Sequence, residues 1–277
     1  MMTISIPDTL TIDNSINYIV SIRLDSDGLS FSGYSPSVGR SFFYRETKFN
    51  SDQNIESALK EFFFAHDFLT WMYKHINIIY VSPLYTLVPE ELYDEKRKEE
   101  LLNFPFSTPQ KRCMHNKLKG KKSEEVLFGM DNEVFEFCSR SFIKPTFINH
   151  ITPLLSYWKK ESLSSPQRNM YVVLHDKMID IIGVEQGKLL FVNSFSVEQR
   201  NEILYYVLYA WKQIGFNQDK DQLFLFGEPN LCNTLTKVFE IYIKYIHSVE
   251  IPSEAFLLGN EVAHAPMDLI ALSVCEL

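Results

Sequence analysis

The sequence predicts an α/β protein with mixed sheets, in which one β-β-β-α-β unit occurs twice. The first copy begins at Tyr18 and the second at Tyr171, each in a short apolar run of strand character. Each copy continues with two more strand-like runs, one long amphipathic helix and a fourth short apolar run. The fourth run covers residues 76–81 in the first copy and residues 222–226 in the second. The two copies match in pattern and not in identity. The match therefore predicts architecture and leaves activity open.

The first copy opens with a hairpin. Tyr18, Val20 and Ile22 alternate onto one face, and the turn at residues 25–28 returns the chain to a second strand. Residues 41–49 follow as a third strand. Asn54 then begins a helix with apolar residues at helical spacing.

The second copy repeats this order. Its strands are predicted at residues 171–175, 179–184 and 188–195, with Gln186 and Gly187 in the second turn. A helix spans residues 198–214, and Gly215 provides the left-handed residue that ends it. Pro229 and Asn230 begin a further helix, with apolar residues down one face from Leu231 to Ile246.

The repeat predicts two subdomains, one over residues 1–160 and one over residues 168–277. The Ser-rich stretch between them is a linker. Residues 90–123 have no counterpart in the second half and form an insertion. Its acidic and basic residues are segregated and it contains Pro105, so we expect little regular structure and a mobile or partner-dependent segment.

Composition narrows the functional classes. The 277 residues are 45% apolar and carry a net charge of −8, which argues against non-specific nucleic-acid binding. No run approaches the ~20 apolar residues of a membrane span, and no signal pattern begins the chain, so we expect a cytoplasmic protein. The four cysteines are scattered and the histidines lack ligand spacing, so neither a disulfide framework nor a metal site is predicted.

Each half has the order of three meandering strands, a helix, a strand, a helix and a strand. This order, present twice, resembles the actin-like ATPase fold, which consists of two ribonuclease-H-like subdomains. The pattern is similar to that of the pilus-assembly cytoplasmic actin-like proteins. The nonapeptide at residues 85–93, Tyr-Thr-Leu-Val-Pro-Glu-Glu-Leu-Tyr, resembles an uncharacterised Bacteroidetes domain family of this fold. This resemblance implies that nucleotide phosphates would lie between two hairpin turns, one from each half.

The turn that corresponds to the first phosphate turn is Asp25-Ser26-Asp27-Gly28. Asp25, Asp27 and Gly28 keep the carboxylates and one glycine of the family pattern in altered spacing. Glycine lets backbone N–H groups approach a phosphate. The same residues also suit an ordinary hairpin turn, so a structural role for them stays open.

The corresponding turn in the second half is His175-Asp176-Lys177-Met178. Asp176 could replace the family aspartate and Lys177 could contact a phosphate, but no glycine follows. The resemblance also implies a turn that contacts adenosine, which usually has two adjacent glycines after a strand. Gly227 corresponds to the first of these glycines, and Glu228 replaces the second. These departures predict loss of ATP hydrolysis; no cofactor is expected, and Mg-ATP binding remains an alternative.

Three functional hypotheses follow, and no catalytic residue is nominated. The first is a scaffold that binds a protein partner through its cleft or through aromatic residues such as Tyr205, Tyr206 and Tyr209. The second is an ATP-binding protein or weak ATPase with an atypical phosphate site. The third is a nucleic-acid accessory protein acting through the basic run at residues 111–122. A solvated loop is the alternative for that run.

Overall fold

The computed structural model describes residues 4–49, 54–107, 112–118 and 123–275. The strands in chain order are β1 (Ile19–Leu24), β2 (Gly28–Tyr34), β3 (Phe43–Lys48), β4 (His75–Tyr80), β5 (Tyr85–Pro89), β6 (Arg112–Leu118), β7 (Glu124–Met130), β8 (Thr146–Asn149), β9 (Asn169–Leu174), β10 (Met178–Glu185), β11 (Lys188–Ser196), β12 (Gln222–Phe226) and β13 (Tyr245–Ser248). The α-helices are α1 (Ile55–Ala65), α2 (Lys98–Asn103), α3 (Asn132–Ser141), α4 (Ile151–Glu161), α5 (Arg200–Gln213), α6 (Pro229–Phe239) and α7 (Met267–Val274).

Two five-stranded sheets share one topology. The first has the order β3-β2-β1-β4-β8 and the second the order β11-β10-β9-β12-β13. In each sheet the three meander strands are antiparallel and the last two strands run parallel to the first. The predicted duplicated α/β fold is thereby confirmed.

A third sheet interrupts the first half. Its order is β5-β7-β6, and α2 packs on it through a small core of Val88, Leu102, Cys113 and Leu127. The sequence predicts an irregular insertion at residues 90–123, and this is wrong for the described residues, which include α2 and β6. Strand β6 also bonds to β8: the side chain of Asn116 donates to the carbonyl of Phe147 and accepts from the amide of Asn149.

The chain divides into two compact units. The described residues of Met1–Thr152 and Pro252–Leu277 form the first unit, and those of Pro153–Ile251 form the second. The repeat predicts that residues 252–275 belong to the second subdomain, whereas in the structure they pack with the first unit. Backbone bonds from Arg40 and Phe42 to Leu257 and Leu258, at 3.1 and 2.8 Å, are one cause.

Each unit has its own apolar core on one face of its five-stranded sheet. In the first unit, the core-facing side chains of β1 and β2 pack against α1 and α3. In the second unit, β9 and β10 pack against α5 and α6. Burial of these faces follows from the period-two alternation of the strands and the 3.6-residue period of the helices.

Several local predictions are confirmed at the level of dihedral angles. Gln186 and Gly187 both have positive φ, 47° and 78°, as a tight hairpin turn requires. Gly215 has a φ of 69° and follows the end of α5. The helix predicted to begin at Asn54 starts at Ile55, and the side chain of Asn54 caps it by accepting a hydrogen bond of 2.8 Å from the amide of Ser57.

Candidate functional site

The β1–β2 turn contains Asp25, Asp27 and Gly28. The amide of Asp25 donates to the carbonyl of Gly28 at 2.9 Å, which closes the turn. The carboxylate of Asp25 accepts hydrogen bonds from Nη1 of Arg23, at 2.9 Å, and from the amide of Ser26, at 2.7 Å. Asp25 therefore uses its carboxylate to hold its own strand and turn.

Arg23 is buried and has a second acidic partner. Its Nε lies 2.8 Å from Oδ2 of Asp268, which is on α7. Burial alone would lower the pKa of Arg23, but the carboxylates of Asp268 and Asp25 more than offset this effect, so its pKa lies above the ordinary value. Arg23 is thus a permanent cation behind the predicted phosphate turn, and its charge is neutralised by carboxylates of the same unit.

Asp27 and Gly28 have structural roles of the same kind. The carbonyl of Asp27 accepts from the amide of Phe49 at 2.8 Å, and its carboxylate lies 3.4 Å from Nζ of Lys48. A Cβ atom at Gly28 would lie 2.7 Å from the carbonyl oxygen of Thr47 on β3. The absence of a side chain at Gly28 is therefore required by the neighbouring strand, without any phosphate.

The β9–β10 turn has the same backbone pattern as the β1–β2 turn. The amide of His175 donates to the carbonyl of Met178 at 2.8 Å, and the amide of Val197 donates to the carbonyl of Lys177. Asp176 and Lys177 are exposed at the tip of this turn. Met178 is buried, as its position at the start of β10 requires. This turn consequently has no glycine that would let a phosphate approach the backbone.

His175 is anchored by the carboxylate of Asp180, which is not among the predicted site residues. Its Nε2 lies 2.7 Å from Oδ2 of Asp180, and the hydroxyl of Ser194 donates to Oδ1 of the same residue. Asp180 is fully buried on β10. A carboxylate in an otherwise apolar strand, Met-Ile-Asp-Ile-Ile, was the available signal. The same signal applies to Arg23 in Ile-Val-Ser-Ile-Arg-Leu.

The turn that corresponds to the adenosine contact contains Gly227 and Glu228. Gly227 has a φ of 157°, and a Cβ atom there would lie 2.7 Å from Cβ of Leu174. Glu228 caps α6, and its two carboxylate oxygens accept from the amides of Asn230 and Leu231 at 2.9 and 2.8 Å. These bonds lower the pKa of Glu228. The N-terminus of α6, which could bind an anion, is thus already occupied by a carboxylate.

The six predicted site residues fall into two groups. Asp25, Asp27 and Gly28 share one turn of the first unit. Asp176 and Lys177 share the β9–β10 turn of the second unit. Gly227 packs on Leu174, the last residue of β9 before that turn. Asp25, Asp27, Gly28 and Gly227 therefore have structural roles within their own units, whereas Asp176 and Lys177 are exposed.

The predicted basic run is described only in part. Arg112 and Lys117 lie on β6, while its other lysines fall outside the described residues. The guanidinium of Arg112 stacks 3.9 Å from the ring centre of Phe135, and Lys117 pairs with Glu90. Both cations therefore contact their own unit. Among the described residues, no helix is long and apolar enough to cross a membrane.

Comparison with known proteins identifies the family. A family model described as "Protein of unknown function (DUF3822)" matches residues 7–249. A crystal structure from Bacteroides thetaiotaomicron, described as a protein with actin-like ATPase fold and unknown function, is 30% identical, with a TM-score of 0.84; the match covers 96% of this chain and 99% of that one. No curated protein matches.

A more distant similarity supports the same fold. The PilM–PilN type IV pilus biogenesis complex contains a chain that is 11% identical, with a TM-score of 0.59 over 93% of this chain and 99% of that one. At this identity the similarity shows the fold alone. Together with the two matching five-stranded sheets, these comparisons establish that the chain belongs to the DUF3822 family, a family of unknown function, and has the actin-like ATPase fold.

Proposed function

We propose that this protein binds a different protein through an aromatic surface on its second unit, and that it does not hydrolyse ATP. The observation that carries the proposal is a group of four rings in mutual contact on α5 and β11. We name it the tyrosine surface, and it consists of Phe195, Tyr205, Tyr206 and Tyr209.

The rings of the tyrosine surface are ordered against one another. Tyr205 and Tyr209 stack with centroids 5.8 Å apart, and Tyr206 stacks on Phe195 at 4.4 Å. Tyr205 meets Tyr206 edge-on at 5.4 Å. Spacing of four residues along α5 brings Tyr205 and Tyr209 together. Because the rings already support one another, little side-chain entropy would be lost when a partner covers them.

Two of the four rings are exposed, and the other two, Phe195 and Tyr206, are half-buried. Tyr205 is 61% exposed and Tyr209 50%. A single exposed apolar residue is ordinary, but a contiguous cluster is typical of contact surfaces, where tyrosine is enriched. The rings offer apolar area and the hydroxyl groups offer hydrogen bonds. The partner that fits is therefore a protein with an apolar patch bordered by hydrogen-bond acceptors.

The absence of hydrolysis is the second part of the proposal. It is supported by the Asp25 carboxylate bonded to Arg23 and by the Glu228 carboxylate at the start of α6. Four free cysteines suit a reducing compartment, so we place the proposed interaction in the cytoplasm. A nucleotide-binding role is the alternative, and the exposed Asp176 and Lys177 are the residues that would serve it.

Site-specific photo-crosslinking tests the interaction. A photoreactive phenylalanine analogue at Tyr209 should form an adduct with one protein in cells, whereas the same analogue at exposed Phe104 in the first unit should not. The captured protein is then purified and its affinity measured by calorimetry. Combined Tyr205→Ala and Tyr209→Ala substitutions should weaken binding by about 30-fold or more, since two central aromatic anchors cost about 2 kcal/mol or more. An unchanged affinity would refute the proposed surface, and an adduct with a second copy of this chain would refute the proposal of a different protein.

A further inference from the structure

The two five-stranded sheets can be compared position by position. The turns after β1 and β9 have the same backbone bond, from Asp25 to Gly28 and from His175 to Met178. Counting back from these turns, Ser21 in the first unit corresponds to Tyr171 in the second. Both residues lie on the sheet face opposite the main core of their unit, and their neighbours on adjacent strands correspond in the same way.

In the first unit, a row of small polar residues crosses this face of the sheet. Ser21 pairs in register with Ser32 on β2 and with Asn77 on β4, which in turn pairs with Thr146 on β8. Ser32 and Asn77 are 2% and 5% exposed. Serine and asparagine are poor choices for a buried sheet face unless their polar groups find partners.

In the second unit, the equivalent row is bulky. Tyr171 pairs with Ile182 on β10 and with Phe224 on β12. The ring of Trp158 from α4 stacks on Tyr171 at 4.4 Å, and Tyr171 stacks on Phe224 at 4.9 Å. Aromatic rings therefore fill the space between this sheet face and the helix that covers it.

In the first unit the corresponding space is a cavity of about 600 Å³. Ser21, Ser32 and Asn77 line it on the sheet side, and Leu269 and Leu272 of α7 line it on the helix side. A volume of this size lies within the ~300–1,000 Å³ range of small-molecule sites. The cavity thus occupies the region that stacked rings fill in the duplicate unit.

The polar groups of the cavity are not all satisfied by the protein. Asn77 donates one long hydrogen bond, 3.3 Å, to the hydroxyl of Ser21. Among the described residues, none bonds the carboxamide oxygen of Asn77 or the hydroxyl of Ser32. Both side chains are more than nine-tenths buried and line the cavity. Because these two groups face the cavity, an occupant with a matching donor and acceptor would complete their hydrogen bonds.

The lack of charged side chains among the described residues of the cavity lining favours an uncharged ligand. None of the described residues that line the cavity is lysine, arginine, aspartate or glutamate, and its histidine, His75, is exposed. A charged ligand would lose its hydration without gaining a partner. We propose that this cavity is a binding site for a small neutral ring compound, whose hydrogen-bonding edge meets Asn77 and Ser32 and whose ring lies against Leu269 and Leu272.

Fluorescence titration with 2-naphthol tests the proposal, since this probe is a neutral fused ring with one hydroxyl group. It should bind saturably, one molecule per chain. Naphthalene, which lacks the hydroxyl, should bind several-fold to about tenfold more weakly, in line with the loss of one hydrogen bond. The 2-naphthoate anion should bind at least tenfold more weakly. No saturable 2-naphthol binding to the folded protein, or equal binding of all three probes, would overturn the proposal.

Two variants locate the probe. Asn77→Phe introduces the ring that the second unit has at the equivalent position, and it should abolish binding of 2-naphthol. Ser32→Ala, which is small enough to leave the fold intact, should weaken 2-naphthol binding about threefold or more and leave naphthalene unchanged. Ser30→Ala is the matched control, because Ser30 is buried on the same face of β2 but outside the cavity. If Asn77→Phe does not fold, the Ser32→Ala and Ser30→Ala comparison decides, and equal affinities for these two variants would refute the site.

Discussion

Arg23 on β1 and Asp268 on α7 form a buried ion pair, with Nε of Arg23 2.8 Å from Oδ2 and 3.2 Å from Oδ1. The pair joins residues that lie at opposite ends of the chain. It attaches the C-terminal helix to the strand that leads into the predicted phosphate turn. Asp25 accepts from the same guanidinium, so the turn and the helix share one cation.

We expect Asp268→Asn to destabilise the protein strongly. The substitution keeps the shape of the side chain but removes the charge that compensates Arg23. The free energy of unfolding should fall by about 3 kcal/mol, the low end of the range for breaking a buried pair, because Asp25 still contacts Arg23. Urea unfolding measures this change. Asp176→Asn, at an exposed carboxylate, is the control and should change the free energy by no more than about 0.5 kcal/mol. Equal effects of the two variants would contradict a structural role for the pair.

Gly28→Ala should destabilise the protein whether or not a nucleotide is present. The new methyl group would meet the carbonyl oxygen of Thr47 at 2.7 Å, so β2 and β3 would have to separate locally. We expect a loss of about 1–3 kcal/mol, as for overpacking in a well-packed region. At Gly39 the nearest atom to an added Cβ lies 3.8 Å away, so Gly39→Ala is the matched control and should be tolerated. A stable Gly28→Ala protein would show that glycine serves another purpose there.

Millimolar Mg-ATP should leave the melting temperature unchanged. A ligand at 100 times its dissociation constant would stabilise the folded state by about 2.7 kcal/mol and raise the midpoint by a few degrees. We expect no such rise, because Asp25 is bonded to Arg23 and Glu228 occupies the start of α6. Thermal scans with and without Mg-ATP measure the shift. A saturable rise that Asp25→Ala or Asp176→Ala abolishes would favour the nucleotide-binding alternative, and phosphate release with the same sensitivity would make the protein an ATPase.

The helix cap at Glu228 predicts a pH dependence. Because backbone bonds from Asn230 and Leu231 lower the pKa of this carboxyl in the folded state, its ionised form contributes stability above the unfolded-state pKa. That contribution is lost as the pH falls through the folded-state pKa. Glu228→Gln should therefore be less stable than the unsubstituted protein at neutral pH, and the difference should shrink in acid. Urea midpoints at several pH values measure it, and a difference independent of pH would exclude a charged cap.

Local patterns in the sequence predict most strands of the two sheets, but not β13, which lies where the apolar spacing to Ile246 predicts a continued helix. Alternation in β1 and β2, the short apolar runs at β9 and β10 and glycine at position 187 predict the hairpins, and the structure has them within a few residues. These signals are local, because a strand face and a turn depend on neighbouring residues. The Ser-rich stretch predicts a linker between the duplicated halves, and the structure has the helix α4 immediately before it.

The rest depends on contacts between distant parts of the chain. The pairing of Arg23 with Asp268 cannot be inferred from either segment alone, and the packing of residues 252–275 on the first unit follows from such contacts. Pro105 and the segregated charges of the insertion predict an irregular segment. Pairing of β6 with β7 and the bonds of Asn116 give it regular structure instead. The sequence predicts where the turn residues lie, but it does not predict the distant side chains and backbone groups that they contact.

The first unit begins earlier in the chain than the second unit, but its last segment is synthesised after the second unit is complete. A ribosome releases β1 through β8 well before α7. Until α7 emerges, the polar row of the first sheet is uncovered and Asp268 cannot pair with Arg23, which leaves Asp25 as its carboxylate partner. The second unit is one continuous segment and holds all of its strands once residue 251 has emerged. The first unit closes last, when α7 arrives with Asp268. Translation that stops before α7 would therefore release a first unit with its cation half paired and one sheet face in water.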